Sequence, residues 1–329
     1  MLRKSIPILL VLVLAASLMV ACGSDGDKPA GGGGKEQFIA IATGGTGGVY
    51  YPLGGALQKV YNDNLDNVTA NSSSTGASVE NIGLIEDGDA DIAFIQNDIT
   101  YYASEGIEMF EEKGKVDGLS GMAIWYPEVV QVVANASAGI ESIEDLAGKK
   151  VAVGDAGSGT EANARQILEA HGLNYDDLGK ADYLSFSEAS DQLQDGHVDA
   201  AFVTAGLPTA AIVELTQNLD VVVVPIDSEK IEELNDQFPF YTEVTIEAGT
   251  YKGQEEDLLA TAVMAMLVVS EDLDEDLVYD LTKAMFEHKE TIEETHDRGE
   301  DLSLETALEG MPVELHSGAK KFYDEEGIE

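Results

Sequence analysis

The sequence predicts an α/β protein of two similarly built lobes facing each other across a cleft, and three observations lead there. Residues 151–165, VAVGDAGSGTEANAR, read as a short strand, a glycine-rich turn and the opening of a helix. Residues 38–61 repeat that order, with the turn TGGTGG at 43–48, and Gly44 and Gly47 match Gly154 and Gly157 in spacing. A second echo follows each copy: DGDADIAF at 87–94 and DGHVDAAF at 195–202. In both, a helix is predicted to stop at the glycine and a buried strand to start just beyond it.

Each glycine turn would lie beyond the carboxyl end of its strand, where ligands of open α/β sheets bind. A helix opening there presents free backbone N–H groups and the positive end of its dipole, a good seat for a carboxylate or phosphate. Ser158 and Thr160 add hydroxyl donors at the same place. The structural alternative is a capping box, Ser158 with Glu161, that merely starts the helix.

Taken from its start, the chain opens with Arg3 and Lys4 before an apolar run from Ile6 to Val20. Residues 1–21 therefore read as a signal peptide. The run ends in LMVAC, which resembles a bacterial lipobox, with Met19 where Leu is commoner. Cys22 is the only cysteine, and lipidation there is expected to anchor the chain to a membrane. Residues 22–36 form the lipidated cysteine and a glycine-rich flexible tether. No second apolar span follows, so whatever crosses the membrane is expected to be another protein. The predicted location is extracytoplasmic, on the outer face of the cytoplasmic membrane or in the periplasm.

The formal charge is −44, yet 44% of residues are hydrophobic, far too many for a disordered acidic chain. The reading is a folded core under an acidic skin, a poor partner for nucleic acid or anionic lipid. The acids are spread along the whole chain. That fits adaptation to concentrated salt, where the Debye length shrinks to about 3 Å, better than one acidic docking surface.

The remaining elements follow in order. A Ser/Asn-rich loop at 71–76 precedes a helix to Glu86 and a strand at 91–96 that ends in Gln96-Asn97-Asp98. The acidic run at 87–91 is not a calcium loop, since Ile92 stands sixth and Asp98 twelfth where Gly and Glu are required. Residues 125–134 (WYPEVVQVVA) read as a strand leaving the first lobe, 140–148 as a short capped helix, and 149–153 as a strand. The second lobe continues through 184–188, a helix ending at Gly196, a strand at 198–203, and TAGLP turning into a helix at 209–215. The β-rich run at 219–226 is expected to bring the chain back, placing the two crossings near 127–134 and 222–226. The C-terminal part is expected to be mostly helical: a buried stretch at 256–269, a surface helix at 273–294 and an amphipathic piece at 319–323.

With these pieces in place, the chain resembles the TAXI class of solute receptors of TRAP (tripartite ATP-independent periplasmic) transporters. The resemblance rests on TGGTGGVYYPLGGAL (43–57), Asn81 with Gln96-Asn97-Asp98, Tyr126-Pro127-Glu128, and DLAGKK (145–150). It continues through GSGTE (157–161), Asp195-Gly196 with Asp199-Ala200, Gly206-Leu207-Pro208 and PVELH (312–316), where Ser317 replaces a commoner Pro. It implies a type II periplasmic-binding-protein fold, two Rossmann-like lobes joined by a two-strand hinge. Lobe I would comprise 37–128 plus 225–329, and lobe II 129–224. It further implies a small organic acid or amino acid as ligand, glutamate-like or a dicarboxylate, and TRAP permease subunits as partner. The binding roles carried over fall on Thr46, Tyr50, Tyr51, Ser73, Ser74 and Gln96. Those of the second lobe are Ser158, Gly159, Thr160, Asn163 and Gly206.

Other classes are less well supported. Arg165 could pair with a ligand carboxylate, but its place inside a helix suits a structural ion pair better. Gly154 and Gly159 have Walker A spacing, but Thr160-Glu161 stands where Lys-Ser/Thr is required. No G-x-S-x-G elbow surrounds Ser158, and the histidines at 171, 197, 288, 296 and 316 lack metal-binding spacing. No enzyme activity, cofactor or metal is therefore expected. The remaining alternative is a receptor of an ABC importer for an amino acid or osmolyte.

Overall fold

The computed structural model describes residues 36–328. The predicted signal peptide, Cys22 and almost all of the tether lie outside the described residues.

The first lobe begins with β1 (Gln37–Ala42), α1 (Tyr50–Asn64), β2 (Val68–Ser73), α2 (Ser78–Asp87), β3 (Ile92–Gln96) and α3 (Asn97–Glu105). Strand β4 (Leu119–Asn135) then runs into the second lobe. There follow β5 (Lys150–Ala152), α4 (Gly159–Ala170), β6 (Lys180–Asp182), α5 (Phe186–Gln194), β7 (Ala200–Ala205), α6 (Ala210–Asn218) and β8 (Val221–Val224). The chain continues through α7 (Ser228–Gln237), β9 (Thr242–Ile246) and β10 (Leu258–Ser270) to α8 (Glu275–Glu287), α9 (Lys289–Glu293) and α10 (Ser317–Glu326). The strands lie in the order β2-β1-β3-β10-β4-β7-β5-β6, with β8 on β4 and β9 on β10. Within each lobe the βα units pair in parallel, β1 with β2 and β3, β5 with β6 and β7. The two-lobed α/β architecture is the one the sequence predicts.

Alternation along the long strands sorts their side chains onto two apolar faces. In β4, Val130, Val132 and Ala134 pack with Val151, Ile167 and Leu168 of the second lobe. Val129 and Val133 turn the other way, into the cluster that also holds Leu53, Leu57 and Trp125. A third cluster, with Ile82, Ile95, Ile99 and Tyr102, fills the other face of the first lobe.

Two expectations are corrected. The buried stretch at 256–269 is strand β10, not helix; a run that is apolar on both faces has no period to separate the two, and here both faces are covered. Both β10 and the run at 221–224, strand β8, pair antiparallel with β4. Ile226, Ile231, Leu234 and Tyr241 still pack in the second-lobe cluster. Residues 71–73, expected as loop, are the end of β2, hydrogen-bonded in parallel to β1.

Candidate functional site

The two glycine turns open helices that meet across the cleft. Ser158 is the N-cap of α4, and its hydroxyl accepts from Glu161 N (3.1 Å). The Glu161 carboxylate does not close the box; it accepts from the Tyr175 hydroxyl at 2.7 Å. Among the described residues, no protein acceptor faces the N–H groups of Gly159 and Thr160. The start of α2 is held from the opposite lobe, where the Gly157 carbonyl accepts from Val79 N (3.0 Å) and Glu80 N (3.1 Å). One lobe thus caps a helix of the other.

Between these turns lies a cavity of about 50 Å³. The first lobe lines it with Gly44, Gly45, residues 48–50, residues 75–78, Gln96 and Glu128. The second lobe contributes Asp155, residues 158–160, Ser185, Phe186, Thr204 and Ala205. No Lys, Arg or His is among the lining residues.

Beside the cavity runs a buried polar seam. Asn163 Nδ2 donates to Asp98 Oδ2 (3.1 Å) and to the Tyr241 hydroxyl oxygen (2.8 Å). That leaves Asn163 Oδ1 to accept from Gln96 Nε2 (3.1 Å). The Tyr241 hydroxyl donates onward to Gln166 Oε1 (2.6 Å). Burial pushes the Asp98 carboxyl up to about 7, against the opposing effect of its hydrogen bonds from Ile99 N and Asn163. The seam settles which way the Gln96 amide points, and Gln96 Oε1 is left without a partner. Thr204 Oγ1, also on the cavity wall, is buried and unpartnered as well.

Glu128 lies on the wall and is 3% exposed. It sits on β4 two residues after Tyr126, so both side chains leave the same face of the strand. The Tyr50 hydroxyl donates to Glu128 Oε2 (2.7 Å) and the Tyr126 hydroxyl to Oε1 (3.4 Å). Burial raises the Glu128 carboxyl to about 8, although hydrogen bonds from Tyr50, Gln96 and Tyr126 favour its charged form. Burial first, and the neighbouring carboxylate second, hold both tyrosines well above their ordinary range, so they remain donors. Asp155 is also raised, by burial and then by Glu188.

Of the residues expected to bind ligand, the cavity brings together Tyr50, Gln96, Ser158, Gly159 and Thr160. Asn163 lies in the seam behind Gln96, with its amide fully engaged. Ser73 and Ser74 brace the first glycine turn: Ser73 O accepts from Thr43 N, and Ser74 Oγ donates to Gly44 O (2.9 Å). Thr46 and Tyr51 are exposed and outside the lining. Gly206 packs against the Arg298 side chain and the Tyr126 ring, also outside the lining. Arg165 forms the structural alternative, an ion pair with Glu108 at 2.9 Å. The sequence reading gave no role to Glu128, Asp155, Thr204 or Phe186. For Glu128 a signal existed: it is the lone acid in the mostly apolar stretch WYPEVVQVVA.

Comparison with known proteins places this geometry. The model of the NMT1-like family matches residues 41–327. The chain belongs to the NMT1-like family. Among solved structures, it is similar to PhnD1 from Prochlorococcus marinus in complex with methylphosphonate, with a TM-score of 0.56 at 11% identity over 89% of this chain and 97% of that one. The periplasmic aliphatic sulphonate binding protein SsuA from Escherichia coli aligns with a TM-score of 0.49 at 15% identity, over 88% and 83% of the two chains. A putative L-cystine ABC transporter from Listeria monocytogenes aligns with a TM-score of 0.49 at 17% identity, over 81% and 98%.

The two-lobed periplasmic-binding-protein fold stands. The TAXI assignment does not. The matching family is the NMT1-like one, and the expected TRAP permease partner is withdrawn with the assignment. The physical reason is that TGGTGG and GSGT specify strand–turn–helix openings. Any receptor that seats a ligand at helix N-termini needs such turns, whatever permease it serves.

Proposed function

We propose that this protein is an extracytoplasmic solute-binding receptor that holds a small ligand between its lobes and delivers it to an ABC-type permease. The observation that carries the reading is the cleft itself. A cavity is walled by the start of α4 from one lobe and by the starts of α1 and α2 from the other, with the N–H groups of Gly159 and Thr160 free of protein acceptors. Such donors suit an anionic head group, as found on amino acids, sulfonates and phosphonates. The wall also holds two buried polar atoms, Gln96 Oε1 and Thr204 Oγ1, that none of the described residues satisfies. Buried polar groups are rarely left so, and a bound solute would complete them.

The path of the long strands supports a lobe II running from residue 129 to about 263, with lobe I formed by the rest. Strands β4 and β10 would then be the paired segments about which the lobes move.

The reading is tested by thermal melting of the protein in high salt against common L-amino acids, glycine betaine, alkanesulfonates and methylphosphonate. A ligand at about 100 times its dissociation constant should stabilise by roughly 2.7 kcal/mol, a rise of several degrees. A melting temperature unmoved by every class would overturn the receptor reading.

A further inference from the structure

We propose that closing the lobes takes up a proton at Asp98, so that ligand binding by this receptor is linked to pH. This rests on the receptor reading and holds for any ligand chemistry.

Asp98 sits where the two lobes meet, beside the cavity and not in its lining. It lies in the first turn of α3, and its Oδ2 accepts from Asn163 Nδ2 of α4 (3.1 Å). Three more side-chain contacts continue the line between these segments. Gln96 Nε2 donates to Asn163 Oδ1 (3.1 Å), Gln166 Nε2 donates to the Tyr102 hydroxyl oxygen (3.2 Å), and Arg165 pairs with Glu108 just past α3 (2.9 Å). Water can satisfy all of these groups, so parting the lobes replaces the bonds instead of stranding them. The start of α3 is also tied to a strand about which the lobes would move: Asn97 Oδ1 accepts from Asp98 N and from Met264 N of β10 (3.0 Å each).

With the lobes together, Asp98 is fully buried, and its Oδ1 has no hydrogen-bond partner among the described residues. The groups facing it are Tyr102 of its own helix, Asn163 of α4, Tyr241 and, from β4, Glu128. None is a base, and Arg165 of α4 is engaged by Glu108 and, at 3.8 Å, by Glu169. Burial first, and Asp98 second, hold both tyrosines above their ordinary range, so they stay protonated. A dry carboxyl with an idle oxygen and no counter-cation favours its neutral form. Burial accordingly raises Asp98 to about 7. Parting α3 from α4 would admit water and return the carboxyl towards about 4, its hydrated value.

A carboxyl raised with the lobes together favours that arrangement at low pH, and the advantage is lost as pH rises through 7. Closure therefore takes up about one proton at pH 5.5, about half a proton at pH 7 and almost none at pH 8.5. The ligand is held more tightly on the acid side and released more readily on the alkaline side.

The test uses the full-length protein in detergent and high salt, as wild type and as Asp98→Asn. The probes are L-glutamate, L-leucine, glycine betaine, methanesulfonate and methylphosphonate. Calorimetry in buffers of different ionisation enthalpy, at pH 5.5, 7 and 8.5, reads affinity and proton uptake together. Titration of the probe itself or of Glu128 is common to both proteins and cancels in the comparison. The expected result is that wild type takes up about half a proton more than Asp98→Asn at pH 7, and that its affinity falls about tenfold to thirtyfold further between pH 5.5 and 8.5. Equal uptake by the two proteins would overturn the inference and leave the receptor reading standing. So would wild-type uptake that does not fall between pH 5.5 and 8.5 with a probe of fixed charge, a measurement that needs no variant. Asp98→Ser, which cannot titrate either, replaces Asp98→Asn if that variant does not fold. Binding of no probe by wild type at any of the three pH values would remove the receptor reading and the inference together.

Discussion

Replacing Gly159 by alanine puts the lobe-to-lobe fit to a direct test. The new methyl would stand 3.1 Å from Gln96 Nε2 and closer to Cδ and Oε1, where ordinary contacts begin at 3.4 Å. Gln96 is 2% exposed and has nowhere to move without breaking its 3.1 Å hydrogen bond to Asn163 Oδ1. Losing that bond strands a buried acceptor, at a cost of about 1–3 kcal/mol. Alanine's better helix propensity returns at most ~1 kcal/mol. The clash exists only while the two lobes are together, because Gly159 opens α4 and Gln96 ends β3. Each lobe should therefore fold as before, with unchanged far-UV circular dichroism. The affinity for the best ligand of the melting panel should fall about fivefold to a hundredfold. Titration calorimetry on the two proteins measures this. Wild-type affinity in Gly159→Ala would refute the argument, since Gln96 could not then rest against α4 in the bound state.

Three further outcomes follow from the same geometry. Asp98 has a carboxyl raised to about 7 by burial, so its folded form holds a proton that the unfolded chain releases near 4. Its contribution to stability is present at low pH and lost as pH rises through 7, by a few kcal/mol at most; Asp98→Asn should flatten the fall in melting temperature between pH 5 and 8, and parallel profiles would refute the assignment. Ser158→Ala removes the acceptor for Glu161 N and should cost about 1 kcal/mol, a drop of roughly 2–4 °C, whereas an unchanged melting temperature would mean that the cap is not sustained. With a formal charge of −44, the chain should melt higher as sodium chloride is raised towards 1 M, and a flat response would show that self-repulsion is unimportant.

Much of this molecule is legible in its sequence because the signals are local. Strand–glycine–helix openings depend on neighbours within a few residues, so both turns and the start of α4 stand where the pattern puts them. Repetition of that unit predicts two lobes, and two facing turns predict a cleft; Tyr50, Gln96, Ser158, Gly159 and Thr160 meet there. Other features were decided only when distant segments packed. Strand β10 reads as a buried helix until β3, β4 and β9 supply its hydrogen bonds and cover both faces, because uniform apolarity carries no period. Asn163 belongs to the seam because Asp98, Gln96 and Tyr241, from far along the chain, take up its whole amide. The same holds for Glu128 on the cavity wall. A glutamate in an apolar strand is visible in the sequence, but only the tertiary structure buries it between two tyrosine hydroxyls with no basic residue on the cavity wall. Burial and the two tyrosine donors come from distant parts of the fold, and together they set the ionisation of Glu128, which its neighbours in the sequence could not.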